Sequence, residues 1–197
     1  MSLSTLHSRA RWFDHPLALR PGSVLRSWLA DPGSMTYKLR ARCQELRVQR
    51  LRQCTGNALA DECDLLQLTP RVPVQERDVI LHCDGQPVLF GHTVAALSAL
   101  PAWPFFGRLG ERPLGASLFA DPLVQRGAIQ FARLYAGHPL LRRLCAGLAP
   151  VQVAAVQAAL PLYARRSLFR RQGRLLLVTD VFLPALSTLM AVNIDES

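Results

Sequence analysis

The sequence predicts an α+β fold that is built on an antiparallel sheet. Two dipeptides carry this prediction, Asp84-Gly85 and Gln172-Gly173, because each joins two apolar runs of strand length, as the tight turn of a β-hairpin does. Segments with a helical pattern stand before and between these hairpins, at 21–31 and 150–160. Strand pairs joined by tight turns, with helices outside them, are typical of the α+β class.

The first half of the chain begins with helices. Apolar residues recur at helical spacing within 21–31, and the run "DPGS" then ends that helix. Ser34 can cap a second short helix over 35–42. Alternation around Leu46 favours a strand, whereas residues 54–72 contain Gly, Asn, Asp and Pro and are expected to form a loop.

The second half of the chain mixes turns, helices and strands. The segment 101–124 is rich in turn residues, and we expect only short helical turns there. The segment 127–136 fits either a strand or a helix, and both interpretations stay open. Pro150 suits the first position of the helix that follows, because its missing N–H is not needed there.

Composition indicates one globular domain over residues 1–197. Apolar residues make up 50% of the chain and charged residues 19%, which is typical of a chain that buries a core. The apolar runs reach only about ten residues, so no membrane span is predicted. The N-terminal segment has no apolar signal core, so we expect a cytoplasmic protein. We expect order to be lost towards both ends, over about 1–18 and 186–197.

Two charged residues fall on strand faces that should be dry. Side chains alternate along a strand, so Arg77 shares the more apolar face of its strand with Val79 and Leu81. Asp180 lies in "LLLVTDVFLP", where both faces are apolar, and this predicts a central strand. Because desolvating an unpaired charge costs several kcal/mol, each of the two needs a partner.

Two interpretations of these charges stay open. Arg77 and Asp180 could form a structural ion pair. Alternatively they could line a ligand pocket, with Arg77 bound to a carboxylate and Asp180 accepting a hydrogen bond from a hydroxyl. Arg165 and Arg166 are adjacent, so one of them must point inward. That arginine could pair with Asp180 or bind an anionic ligand.

The net charge and the cysteines disfavour several classes of function. The net charge is +9, but the arginines are scattered, with no run of five or more and no interleaved aromatic residues, so nucleic-acid binding is disfavoured. A positive field also draws small anions into a cleft. The five cysteines contain no C-x-x-C pair and the histidines lack ligand spacing, so neither a disulfide framework nor a metal site is predicted. A lone histidine on a strand is usually structural, but His92, which follows Gly91 in the hairpin, is the strongest of the five candidates for another role, and its role stays open.

Four segments, taken in order, resemble the chorismate pyruvate-lyase family. They are "WLADPGSMT", "ERDVILHCDGQPVLFGHTV", "RPLGASLF" and "ARRSLFRRQGRLLLVTDVFLP", at 28–36, 76–94, 112–119 and 164–184. The resemblance implies a single antiparallel sheet of about six strands, with helical flaps over a buried ligand site. It also implies the conversion of chorismate to 4-hydroxybenzoate and pyruvate, without a metal or a cofactor.

The resemblance implies roles for particular residues. Arg77 takes the position of the arginine that holds the product carboxylate, with backbone near Met35 beside it, and Leu114 lines the site. Asp180 takes the position of the acid at the hydroxyl end, so Arg77 and Asp180 are the expected catalytic pair. The family acid is typically Glu, and Asp180 is shorter by one methylene group, about 1.5 Å. His92 stands where the family usually has arginine.

The resemblance also sets the expected function and its alternative. We expect a lyase that carries out the first committed step of ubiquinone biosynthesis, with chorismate and 4-hydroxybenzoate as its partners. The shorter acid keeps a second hypothesis open, a non-catalytic module of the same fold that binds a small aromatic acid. We expect a monomer that binds no nucleic acid and does not insert stably into a membrane. The segment 137–160 is longer than the family pattern, which predicts an added helix or an altered flap.

Overall fold

The computed structural model describes residues 9–69 and 71–191. Within them, six strands form one sheet: β1 Leu46–Asn57, β2 Pro73–Cys83, β3 Gln86–Ala96, β4 Gln125–Leu134, β5 Leu162–Arg171 and β6 Arg174–Phe182. The order across the sheet is β1-β2-β3-β6-β5-β4, and all neighbours are antiparallel. The predicted α+β class is confirmed, and β6 is a central strand, as its two apolar faces indicated.

Both predicted hairpin turns are present. Asp84 and Gly85 have φ angles of 49° and 80°, and Gln172 and Gly173 have φ angles of 49° and 74°. A two-residue turn of type I′ needs positive φ at both central positions, and its twist matches that of the flanking strands. These turns fix the register of β2 with β3 and of β5 with β6.

Seven α-helices accompany the sheet in the described part of the chain: α1 Ser23–Leu29, α2 Met35–Arg40, α3 Cys63–Leu66, α4 Leu114–Ala120, α5 Pro139–Ala146, α6 Pro150–Ala158 and α7 Leu186–Ala191. Short 3-10 helices occur at Pro16–Leu19, Leu97–Ala102 and Phe106–Arg108. The helices predicted at 21–31, 35–42 and 150–160 are confirmed, with α2 ending two residues earlier. None of the helices seen within residues 9–69 and 71–191 has the length and apolar character needed to cross a membrane.

The structure corrects or completes four expectations about local structure. Residues 54–72 are not simply a loop, because β1 runs on to Asn57 and α3 follows; pairing with β2 along the whole of β1 overrides the polar composition. The segment 127–136 falls mainly within β4, and 137–160 contains both α5 and α6. Residues 186–191, expected to lose order, form α7, while 1–8 and 192–197 lie outside the described residues.

The two faces of the sheet are covered by different helices. We call the face that carries Asp180 the front face and the face that carries Thr179 the back face. On the front face, α1, α2 and α4 pack their apolar side chains against the strands. On the back face, α5 and α6 pack against β3, β5 and β6 through Leu140, Leu144 and Val156. The strands are therefore covered on both faces, and charged side chains on either face can be buried.

Candidate active site

A cavity lies between the front face and two helical flaps. The first flap is residues 23–40, with α1 and α2, and the second flap is residues 97–120, which ends in α4. The space between them is about 660 Å³ when volume open to solvent is included. The four residues that the sequence pointed to all line it: Met35, Arg77, Leu114 and Asp180.

Arg77 and Asp180 face the same cavity but do not pair with each other. They belong to β2 and β6, and β3 lies between these strands. β3 presents Gly91, which is opposite Asp180 in register, and Thr93, which is opposite Arg77. Asp180 instead accepts a hydrogen bond from Arg165 Nε at 3.1 Å. The structural ion pair between Arg77 and Asp180 is therefore not formed, and the ligand-pocket interpretation remains.

Arg77 is a buried cation without a counter-ion. Its side chain is almost fully buried, and Nη2 donates to the carbonyl oxygens of Gly110 at 3.0 Å and Arg112 at 2.9 Å, both in the second flap. Nε has no acceptor, and no carboxylate oxygen of the described residues lies within 4.0 Å of the guanidinium. Burial, reinforced by the charge of Arg50, lowers the pKa of Arg77 to about 10, so it stays protonated at neutral pH.

Arg165 connects Asp180 to the first flap. Besides Asp180, it donates through Nη1 to the carbonyl oxygens of Asp31 at 2.7 Å and Leu29 at 3.4 Å. Its neighbour Arg166 turns to the back face and donates to Gln130 Oε1 at 3.0 Å. Both adjacent arginines are buried, one on each face, and the one that faces the cavity pairs with the acid.

Met35 and Leu114 bring the starts of two helices to the cavity. They are the first residues of α2 and α4, where backbone N–H groups have no acceptor within the helix. Ser34 occupies the N-cap position of α2, as predicted, but its side chain makes no capping hydrogen bond. A Cβ at Gly115 would lie 2.6 Å from Ser34 Oγ, so glycine at this position lets the two flaps approach this closely.

Arg126, on β4, also lines the cavity, and the sequence did not single it out. Nε donates to Ser167 Oγ at 2.9 Å and Nη1 to the Pro32 carbonyl oxygen at 2.7 Å. The guanidinium carbon lies 5.7 Å from the ring centre of Phe119 and 5.6 Å from that of Phe169. Burial, and then the charge of Arg165, lower the pKa of Arg126 to about 10. Within the part of the chain that the structure describes, no carboxylate oxygen lies within 4.0 Å of it.

The charges that face the cavity do not balance. Three arginines and one aspartate reach it from the front face, a net charge of +2 from three positive and one negative: Arg77, Arg126, Arg165 and Asp180. Arg166 borders the same space, but its guanidinium donates on the back face. An excess of two positive charges in a largely buried cavity suits a ligand with two negative charges.

The other polar side chains that line the cavity are hydroxyls. Ser34, Thr36, Thr93 and Ser167 can each donate or accept a hydrogen bond. Among residues 9–69 and 71–191, no group of three or more His, Cys, Asp or Glu side chains is arranged to hold a metal ion. Arginines together with hydroxyls suit the recognition of carboxylates and ring oxygens.

His92 lies outside the cavity, on the back face of β3. It is fully buried, with Nδ1 2.5 Å from Asp78 Oδ1 and Nε2 3.1 Å from Glu62 Oε1. Burial alone would lower the pKa of His92, but the charge of Glu62 and the hydrogen bond with Asp78 outweigh it and raise the pKa to about 10. His92 is therefore part of a buried ion group on the face away from the cavity.

The chain is similar to known proteins in sequence and in fold. The family described as chorismate lyase matches residues 6–192. A "Probable chorismate pyruvate-lyase" from Cupriavidus pinatubonensis (strain JMP 134 / LMG 1197) is 45% identical over 168 residues, which cover 83% of this chain and 82% of that protein. One from Methylobacillus flagellatus (strain ATCC 51484 / DSM 6875 / VKM B-1610 / KT) is 37% identical over 186 residues, 94% and 99% of the two chains. The crystal structure of the PhnF C-terminal domain shares the fold, with a TM-score of 0.51 and 17% identity over 70% of this chain and 82% of that domain.

Proposed function

The chain belongs to the chorismate lyase family, and from this premise we propose how its cavity converts chorismate to 4-hydroxybenzoate and pyruvate. The reaction breaks the bond between a ring carbon and the ether oxygen of the enolpyruvyl group. A ring proton leaves, the ring becomes aromatic, and the released enolpyruvate takes up a proton to give pyruvate. Because aromatisation supplies much of the driving force, the protein has to hold a dianion in a reactive geometry away from water.

One observation carries the proposed site, the absence of a counter-ion for Arg77 among the described residues. A buried charge without a partner is strongly destabilising, and its place is explained if a ligand supplies the anion. We propose that Arg77 binds the ring carboxylate through the fork of its guanidinium. The free N–H groups at the starts of α2 and α4 add donors near Met35 and Leu114, whose side chains help to exclude water.

Asp180 marks the opposite end of the proposed ring site. It can accept a hydrogen bond from the ring hydroxyl and so orient the oxygen end, or it can take part in moving the ring proton. Arg165 holds the carboxylate at 3.1 Å, which fixes the position of this short side chain. We propose that Arg165 compensates in this way for the methylene group that aspartate lacks relative to glutamate.

The reaction is the first committed step of ubiquinone biosynthesis, and we propose that this protein carries it out in that pathway. We propose a single domain that acts as a monomer in the cytoplasm, with chorismate and 4-hydroxybenzoate as ligands and no nucleic-acid partner. Light scattering of the purified protein tests this, and a dimer at micromolar concentration would contradict it.

A turnover assay tests the proposed function directly. Purified protein is mixed with chorismate, and 4-hydroxybenzoate is followed by chromatography while pyruvate is followed with lactate dehydrogenase. We expect equimolar products at a rate well above that of chorismate alone, which is the control for spontaneous breakdown. No product above the spontaneous rate would refute the function. Tight binding of 4-hydroxybenzoate without turnover would favour the non-catalytic binding module.

A further inference from the structure

The proposed function accounts for one of the two uncompensated charges in the cavity. Chorismate carries two carboxylates, one on the ring and one on the enolpyruvyl group, and Arg77 is proposed to bind the first. Of the other front-face arginines, Arg165 already pairs with Asp180 and donates to two carbonyl oxygens. Arg126 has no carboxylate within 4.0 Å among the described residues. Its charge therefore also lacks a carboxylate partner, although Arg126 is half-buried and Arg77 is almost fully buried.

The contacts of Arg126 hold its guanidinium in place and leave donors free. Of its five N–H groups, those on Nε and Nη1 reach Ser167 Oγ and the Pro32 carbonyl oxygen. Nη2 has no acceptor among the residues that the structure describes. The aromatic rings of Phe119 and Phe169 pack against the guanidinium and restrict its rotation. A fixed fork with free N–H groups is suited to a carboxylate.

The position of Arg126 matches one end of the substrate. Ser167, its hydrogen-bond partner, is on β5 two residues from Arg165, so the guanidinium lies on the side of the cavity where Arg165 meets Asp180. In chorismate the carbon that bears the enolpyruvyl ether is next to the carbon that bears the hydroxyl. A substrate whose hydroxyl faces Asp180 therefore places its enolpyruvyl group near this side.

We propose that Arg126 binds the carboxylate of the enolpyruvyl group, an assignment that rests on the proposed function. When the ring C–O bond breaks, the electron pair stays on the ether oxygen and enolpyruvate forms. Arg126 is then beside the group on which negative charge develops, and Arg165 is close by. The ring proton leaves as the ring becomes aromatic, and protonation of the enolpyruvate CH₂ carbon gives pyruvate.

With this assignment, the substrate and the aromatic product use different sets of arginines. Chorismate uses both Arg77 and Arg126, whereas 4-hydroxybenzoate has only the carboxylate that Arg77 is proposed to bind. Loss of Arg126 should therefore impair the use of chorismate and spare the binding of 4-hydroxybenzoate. A residue that only shapes the cavity would affect both ligands alike.

The test compares kcat/KM for chorismate with the Kd of 4-hydroxybenzoate in Arg126→Gln and Arg126→Met. Methionine keeps an apolar stem against Phe119 and Phe169 and preserves the fold if glutamine does not. We expect kcat/KM to fall about 30-fold or more, while the Kd of 4-hydroxybenzoate changes less than about threefold. Arg170→Gln, which removes the same charge from an exposed position on β5, is the control and should leave both values unchanged.

Equal losses for chorismate and 4-hydroxybenzoate, or no loss for either, would overturn the role of Arg126. A second comparison does not depend on turnover. Wild-type protein should bind 3-(1-carboxyvinyloxy)benzoate more tightly than benzoate, and this difference should vanish in the Arg126 variants. The assignment is refuted if wild type and variants show the same preference for this probe over benzoate. It is also refuted if the wild type shows no such preference. A wild-type protein that binds this probe through Arg126 but leaves chorismate unchanged would refute the proposed function alone.

Discussion

The two faces of the sheet both bury charged side chains, but they differ in how those charges are compensated. On the back face, three acids meet three cations in a group that we call the back-face cluster: Arg52, Glu62, Glu76, Asp78, His92 and Arg143. Each of these acids has a cation within 4.0 Å; Glu76, for example, lies 2.6 Å from Arg52 and 2.9 Å from Arg143. The front face instead has an excess of two positive charges.

The difference indicates which buried charges belong to the fold and which belong to a ligand. A balanced cluster can be buried because each ion replaces the water lost by its partner. The back-face cluster also joins the sheet to other elements, since Glu62 precedes α3 and Arg143 belongs to α5. A group of buried charges that does not balance destabilises the ligand-free protein. Its presence is explained if the substrate supplies the missing negative charges.

The front face should lose function, and no stability, when Arg77 is replaced. In Arg77→Met we expect kcat/KM for chorismate to fall about 10³-fold or more, because the ring carboxylate loses a buried charge partner. The free energy of unfolding should stay the same or rise, because the buried charge that is removed has no counter-ion. Steady-state kinetics and urea denaturation measure the two quantities, and Arg47→Gln, which removes an exposed charge from β1, is the control. Retained turnover with a large loss of stability would reverse the roles of the two faces.

At the other end of the cavity, we expect turnover to depend on both the charge and the position of the Asp180 carboxylate. Asp180→Asn removes the charge and leaves Arg165 unpaired, and we expect kcat to fall about 10²–10³-fold. Asp180→Glu keeps the charge and should retain turnover, because the longer carboxylate can still pair with Arg165. The measurement is kcat under saturating chorismate. A large loss in Asp180→Glu would mean that the cavity is built around the aspartate and its contact with Arg165.

The back face should show the opposite pattern when Glu76 is replaced. Glu76→Gln leaves Arg52 and Arg143 without their shared carboxylate, and we expect the free energy of unfolding to fall by about 3 kcal/mol. The kcat/KM of the folded protein should stay within about threefold of wild type, since sites that share no partner act nearly independently. Glu45→Gln, an exposed acid, is the control. A selective loss of turnover with unchanged stability would contradict the division between the faces.

A pH-dependent effect on stability should come from His92. Its pKa rises from about 6.5 in the unfolded chain to about 10 in the folded protein. Its contribution to stability is therefore complete below about pH 6.5 and is lost as the pH rises towards about 10. Urea denaturation of wild type and His92→Gln across this range should show the difference in unfolding free energy narrowing with increasing pH. A constant or growing difference would mean that His92 is not held as a cation.

The sequence located the charges of the site better than their partners. Alternation placed Arg77 and Asp180 on buried faces because β2 and β6 are regular around both residues. It left the partner of Asp180 open between Arg77 and an inward arginine at 165 or 166, and the register of the β5–β6 hairpin puts Arg165 opposite Asp180. Glu62, the partner of His92, lay in a segment expected to be a loop, and the four-residue α3 is too short to show a helical period.

Arg126 could not have been found by alternation at all. Ile129 and Phe131 face the front side of β4, and strict alternation from them would put Arg126 on the back face. A bulge between Arg126 and Ile129 inserts one extra residue and returns Arg126 to the front, opposite Phe169. The residue proposed for the second carboxylate thus depends on a local irregularity that the pattern of the sequence does not reveal.

One denaturation experiment tests the contrast between the two faces most directly. Wild type, Arg77→Met and Glu76→Gln are unfolded in urea with and without 4-hydroxybenzoate at about 100 times its Kd for the wild type, which should stabilise the wild type by about 2.7 kcal/mol. We predict the same increment for Glu76→Gln, although its stability without ligand is lower, and almost none for Arg77→Met. An increment in Arg77→Met equal to that of the wild type would contradict the claim that the unpaired front-face charge is there to bind the ligand.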